Sequence, residues 1–96
     1  MRNVIVRYVV KPDRVDDNIA LVQAVFAQLA REQPAGIRYA TFRSGASFTH
    51  VASIEGDNPL PKLAAFQAFV GSIADRCSEP PVTTEVEEVG SYRLLR

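Results

Sequence analysis

The stretch IRYATFRSGASFTHVASI, residues 37–54, decides the fold. Residues 37–43 and 48–54 are each rich in β-branched and aromatic side chains, and Ser-Gly-Ala-Ser at 44–47 supplies turn residues between them, so the stretch predicts a β-hairpin. Pro34 and Gly36 stand before it, and upstream of them Val15, Ile19, Val22, Phe26 and Leu29 recur at spacings of four, three, four and three. That spacing predicts a helix beginning near residue 14, capped by Asp13 and carrying Asp16 and Asp17 at the positive end of its dipole. Further upstream NVIVRYVVK, residues 3–11, reads as a strand with Val4, Val6, Tyr8 and Val10 on one apolar face.

Downstream of the hairpin, Asn-Pro-Leu-Pro at 58–61 opens a second helix. Its stripe is Leu63, Phe66, Val70, Ile73 and Cys77, and Pro80 and Pro81 close it. Residues 82–94 alternate well enough for a last strand, with Gly90 marking a bulge. The order is therefore βαββαβ. Two helices with one apolar stripe each are satisfied by one face of a sheet, which gives an α+β, ferredoxin-like arrangement: a four-stranded antiparallel sheet with both helices on one side.

On this reading the helix-facing residues include Tyr8, Tyr39, Thr41, Phe48, His50, Ala52, Val82, Thr84, Val86 and Tyr92. The opposite face shows Ile5, Arg7, Val9, Arg38, Ala40, Phe42, Val51, Glu85, Glu87 and Val89. That face is too apolar to be left wet, and its opposite charges suit pairing across a two-fold axis, so it is expected to meet another subunit.

With 96 residues the chain suits one hydrophobic core, and residues 1–96 are read as a single domain. It carries 11 basic and 11 acidic residues with no basic run, which argues against a nucleic-acid partner, and the low net charge favours self-association. One cysteine allows no internal disulfide, and the first residues run straight into a strand pattern, so a cytoplasmic location is expected. Charges interrupt every apolar stretch well short of the roughly 20 residues that span a bilayer, so no membrane role is expected.

The end of the first helix and the strand that follows, REQPAGIRYATFR at 31–43, resemble the antibiotic-biosynthesis monooxygenase type of dimeric α+β barrel, as does the order of elements over the chain. The resemblance implies a homodimer in which two sheets pack face to face, with a pocket between sheet and helices. Many members of that superfamily hold a small aromatic or polyketide-like molecule there, or haem. Its cofactor-free oxygenases and haem-degrading members typically carry a pocket tryptophan and asparagine, the latter type with a histidine as well. This chain has no tryptophan, and its asparagines Asn3, Asn18 and Asn58 fall at a strand edge, in the first helix and in a loop.

His50 is the only histidine and lies on the helix-facing side of its strand. An imidazole supplies a general acid or base near neutral pH, with Tyr8, Tyr39, Thr41 or Arg43 placed to hydrogen-bond to it or to a ligand. The plainer reading is a core histidine satisfied by a tyrosine or a carbonyl. Three tyrosines on one face suggest either a polar network or a ligand site, because a buried phenol needs a partner. One of Phe66 and Phe69 lines the pocket rather than the core. Arg7 and Arg38 are read as making interface ion pairs with Glu85 or Glu87, and Arg43 as a clamp for an anionic substrate. Cys77 closes a helical stripe and reads as a small hydrophobe. A metal site is not expected from one histidine and one cysteine. No CysXXCys pair, RNP strand or glycine-rich phosphate loop points to a copper chaperone, an RNA binder or a nucleotide enzyme.

With what the resemblance implies, these residues lead to the expectation of a small-molecule-binding dimeric barrel without a cofactor, acting as a monooxygenase or isomerase on an aromatic or polyketide-like compound. His50 and Tyr39 are the catalytic candidates, and Tyr8, Thr41, Arg43, Phe66 and Phe69 the ligand-binding ones. The alternative is a noncatalytic ligand-binding or structural dimer.

Overall fold

Strand β1, Arg2–Val10, lies at the centre of a four-stranded antiparallel sheet in a computed structural model that describes residues 1–94. It is followed by helix α1, Val15–Glu32, the hairpin strands β2, Ile37–Ser44, and β3, Ser47–Ile54, the short helices α2, Ala64–Gly71, and α3, Ile73–Arg76, and strand β4, Cys77–Val86. The strand order is β2-β3-β1-β4, which is the ferredoxin-like order. The hairpin closes at the pair Ser44 and Ser47 with Gly45 at positive φ, the geometry that a two-residue turn with glycine first requires.

The register sets one face of the sheet. Val6 and Thr41 flank His50 from the two neighbouring strands, while Tyr8 pairs with Phe48 and Tyr39 with Ala52. Side chains alternate along a strand, so all of these point to the same side, towards the helices. The buried cluster there contains Tyr8, Val10, Val22, Val25, Phe48, Leu60, Leu63 and Phe69. Val15, Ile19, Phe26 and Leu29 of the expected stripe pack against it while staying partly exposed, and Asn18, Val22 and Val25 are the residues of α1 that are fully covered. Helix α1 ends with Gln33 in the left-handed conformation, its N–H bonded to Leu29 O at 2.8 Å. The two helices are joined by Gln28, whose amide oxygen accepts the N–H of Ala65 and so caps α2 from the side of α1.

The last third departs from the sequence reading. The second helix is broken: α2 stops at Gly71, Ser72 leaves the helical conformation, and α3 gives only one further turn. Val70 is therefore exposed, and Phe69 takes the buried position expected of it. Cys77 is not the end of a helix but the first residue of β4, paired with Val10 and half-buried against the core. The strand thus starts five residues before the expected 82 and ends at Val86, and Gly90 lies beyond it with no bulge there. The irregularity comes earlier and in two steps: Val10 pairs with Cys77, Val9 with Glu79 and Arg7 with Val82, so that β4 takes up one extra residue at Ser78 and another at Pro80 and Pro81.

In the resulting register the faces are the reverse of those expected, with Thr83 and Glu85 on the same side as Cys77. Thr83 and Glu85 sit opposite Val6 and Val4 on the helix side, whereas Val82 and Thr84 lie opposite Arg7 and Ile5 on the other side. Val82, Thr84 and Val86 are therefore not helix-facing, Glu85 is not on the outer face, and Glu87, Val89 and Tyr92 lie past the strand. Tyr92 is exposed with Arg93 stacked over its ring. Among the described residues no helix is long and apolar enough to cross a membrane.

Candidate functional site

Diagonal neighbours on the helix-facing side of the sheet converge on His50. Tyr8 reaches it from β1 and Tyr39 from β2, one at each ring nitrogen. Tyr8 Oη lies 2.7 Å from Nε2 and Tyr39 Oη 2.5 Å from Nδ1, with Thr41 Oγ1 also 3.1 Å from Nδ1. The imidazole is 4% exposed. Burial pushes its pKa down from 6.5 to about 4, so it is neutral at physiological pH. Burial also raises the Tyr39 phenol and lifts Tyr8 to about 12, opposed for Tyr8 by the Asn18 hydrogen bond and by the charge of Arg76.

The network continues behind Tyr8. Asn18 Nδ2 donates to Tyr8 Oη at 2.9 Å, and Arg76 Nε donates to Asn18 Oδ1 at 3.0 Å. Arg76 is 0% exposed, and its remaining contacts are Ser72 Oγ at 2.6 Å, the Phe69 carbonyl at 2.7 Å and the face of the Phe69 ring at 5.3 Å. Desolvation lowers its pKa, but a guanidinium stays charged even so. Its backbone is fixed as well, since Lys11 N–H bonds to Arg76 O at 2.8 Å. No buried side-chain nitrogen or oxygen among the described residues lacks a partner.

This chain of polar groups backs a cavity of about 550 Å³ between the sheet and α2. Tyr8, Tyr39 and His50 form its polar wall, Val4, Val6, Ala52, Phe66 and Phe69 its apolar walls, and Arg2, Asn58 and Glu85 its charged and polar margin. A volume of this size holds a small organic molecule. Both Phe66 and Phe69 line it, and Asn58 does too, which its loop position did not suggest. Thr41 touches His50 but belongs to a separate groove beside α1. Arg43 lies in that groove as well, exposed at the hairpin end and bonded to Gly45 O, so it is no clamp on this cavity. Arg7 and Arg38 are exposed on the outer face, and within the chain Glu85 points to the other side of the sheet.

Asn18 and Arg76 are the two members that the sequence reading did not place in the site. Asn18 stands between Val15 and Val22 at helical spacing, a polar residue inside an apolar stripe, which was the available signal. Arg76 carried none, because its position depends on where the second helix breaks.

Solved structures of the same shape come from several sources. A Mycobacterium tuberculosis protein, Rv0793, superposes with a TM-score of 0.74 at 18% identity over 94% of this chain and 96% of its own. An antibiotic biosynthesis monooxygenase does so with 0.73 at 18% identity, covering 94% and 100%. A candidate antibiotic biosynthesis monooxygenase from Nitrosomonas europaea gives 0.77 at 18%, again over 94% and 100%. The chain has the antibiotic-biosynthesis-monooxygenase fold. No protein-family model matches the sequence, and no curated protein matches it either. At these identities the shared fold carries no activity with it.

Haem, which some proteins of the monooxygenase fold hold, does not suit these residues. His50 is the only histidine, and each of its nitrogens already faces a phenol at hydrogen-bond distance, leaving no lone pair for an iron. Among the described residues no three His, Cys, Asp or Glu side chains come together for a metal ion. Cys77 has its thiol pKa raised by burial, as a packed thiol does.

Proposed function

We propose that this chain forms one dimeric α+β barrel domain over residues 1–96 that binds a small aromatic or polyketide-like molecule between sheet and helices. It acts on that molecule without a cofactor, as an isomerase or monooxygenase, with Tyr39 and His50 at the reacting end and Tyr8, Phe66 and Phe69 around the ligand. The observation that carries the reading is the cavity itself: it is open, mostly apolar, and has a hydrogen-bonded tyrosine and histidine on one wall. Aromatic walls suit a flat ligand, and one polar wall suits its oxygen.

The dimer is supported by the outer face of the sheet. Phe42 is 52% exposed and Val82 62%, and Ile5, Val9 and Val51 on the same face are incompletely covered. These apolar residues around Arg7 and Thr49 make a mixed face that suits a second copy. A single cysteine and balanced charge support work in the cytoplasm on a small molecule rather than on nucleic acid.

One observation favours a noncatalytic binder instead: His50 is neutral and satisfied at both nitrogens, as a purely structural histidine is. Native mass spectrometry of protein purified from its own host tests both parts. The expected result is a dimer retaining a small aromatic mass that the protein converts when oxygen uptake or isomerisation is followed. A retained compound that is never turned over would support the binder, and an empty monomer would sink the proposal.

A further inference from the structure

Arg76 settles the direction of every hydrogen bond between itself and the cavity. A guanidinium only donates, so the Asn18 atom facing Arg76 Nε is necessarily the amide oxygen. The Asn18 amide nitrogen is then turned to Tyr8 and donates to its oxygen at 2.9 Å. Tyr8 Oη now accepts from Asn18, and its own hydrogen has one acceptor in reach, His50 Nε2 at 2.7 Å. Were Nε2 protonated instead, the Tyr8 hydrogen would be left buried without a partner, at a cost of about 1–3 kcal/mol. Nε2 is therefore bare and the proton of the neutral ring is on Nδ1, where it is donated to Tyr39 Oη at 2.5 Å. Tyr39 keeps its own hydrogen free of the imidazole, with the Thr41 hydroxyl and the cavity as its surroundings.

We propose that Arg76 is a positioning residue: through Asn18 and Tyr8 it holds His50 as the Nδ1–H tautomer, so that Tyr39 meets the cavity as a hydrogen-bond donor. The site accordingly selects ligands that present an acceptor oxygen, a carbonyl or an enolate, over equally shaped apolar ones. This selectivity rests on the cavity being the ligand site, as proposed above. The tautomer does not.

The chain's single histidine makes the tautomer directly readable. In untagged, ¹⁵N-labelled protein at neutral pH, long-range ¹H–¹⁵N correlation shows one imidazole, expected to be protonated at Nδ1 and bare at Nε2. Asn18→Asp is nearly isosteric and keeps an acceptor for Arg76, but its carboxylate takes the Tyr8 hydrogen rather than giving one. Tyr8 then accepts from His50, and the tautomer is expected to invert to Nε2–H. Wild-type protein protonated at Nε2, or an Asn18→Asp protein with an unchanged tautomer, would overturn the proposal. Should that variant fail to fold, Tyr8→Phe serves in its place: cutting the relay is expected to give a mixture of tautomers, and a pure Nδ1–H signal would overturn it equally.

The ligand consequence is read with 2-acetylnaphthalene and 2-ethylnaphthalene, which differ in the carbonyl. Wild type is expected to prefer the ketone about tenfold, the equivalent of one hydrogen bond, and Asn18→Asp to lose that preference. Equal binding of both by wild type would overturn the selectivity. A tautomer that inverts while neither naphthalene binds would uphold the relay and count against the cavity as the ligand site.

Discussion

The phenol oxygen of Tyr39 sits 2.5 Å from Nδ1 of His50, and Thr41 Oγ1 stands second in line at 3.1 Å. The pair is therefore separable by substitution. In Tyr39→Phe the imidazole keeps Thr41 as a partner, so the loss of stability should stay near 1 kcal/mol in urea melts. Turnover of the compound retained by wild type should fall on the order of a hundredfold, the usual worth of a positioned acid or base. Activity within a few fold of wild type would remove Tyr39 from the reaction. His50→Ala is a poorer probe, since it strips two buried phenols of their common partner and leaves a hole in the core.

Acid should weaken the fold through His50. Its folded pKa of about 4 lies below the ordinary 6.5, so between these values the unfolded chain binds a proton that the folded one refuses. Stability contributed by the neutral ring is complete above pH 6.5 and drains away as the pH falls towards 4, by about 3 kcal/mol over the whole window at 1.36 kcal/mol per unit. Denaturant melts of wild type and His50→Gln across that range test this. The difference between them should shrink as the pH falls, and parallel curves would contradict it.

Gly36 should not tolerate a side chain. Its φ is +81°, and a Cβ there would stand 2.6 Å from the Glu55 carbonyl oxygen, on the strip of backbone where Glu55 N–H bonds to Gly36 O. Gly36→Ala is expected to cost about 2 kcal/mol or more in thermal melts. Gly45→Ala meets nothing within 4 Å and bears only the conformational penalty, about 1 kcal/mol. Equal losses at the two positions would show that the clash is relieved.

On the outer face, Phe42→Asp and Val82→Asp should each convert a dimer into a folded monomer in light scattering at micromolar concentration. Both positions are exposed in the single chain, so neither change should unfold it. A dimer that survives both would place the subunit contact elsewhere.

The hairpin, α1 and the sheet order were legible because each is written in local terms: alternation around a glycine turn, and a stripe ending before Pro34. So was the convergence of Tyr8, Tyr39 and Thr41 on His50, which follows from strand parity once the pairing is right. Parity also explains what failed. The Leu63-to-Cys77 spacing fits a helix through Arg76 and Cys77, and only tertiary bonds decide otherwise: Arg76 gives its hydrogen bonds to Ser72, Phe69 and Asn18, and Lys11 holds its carbonyl. With β4 starting at Cys77 on the helix side and two residues taken up before Val82, the odd-numbered side chains keep that side, and Glu85 stands at the cavity margin instead of the outer face. Arg43 falls away from the cavity for another reason. It is on the correct face but at the hairpin end, and distance along a strand is invisible to a two-residue period.

Pro80 and Pro81 have one more effect. Strand β4 pairs with β1 alone and is an edge, and two consecutive residues of it have no N–H to offer. A foreign strand laid along it would meet a gap in the ladder, so polymerisation by strand addition stalls there. The prolines thus guard this edge of a small, sheet-rich protein of zero net charge against fibre formation.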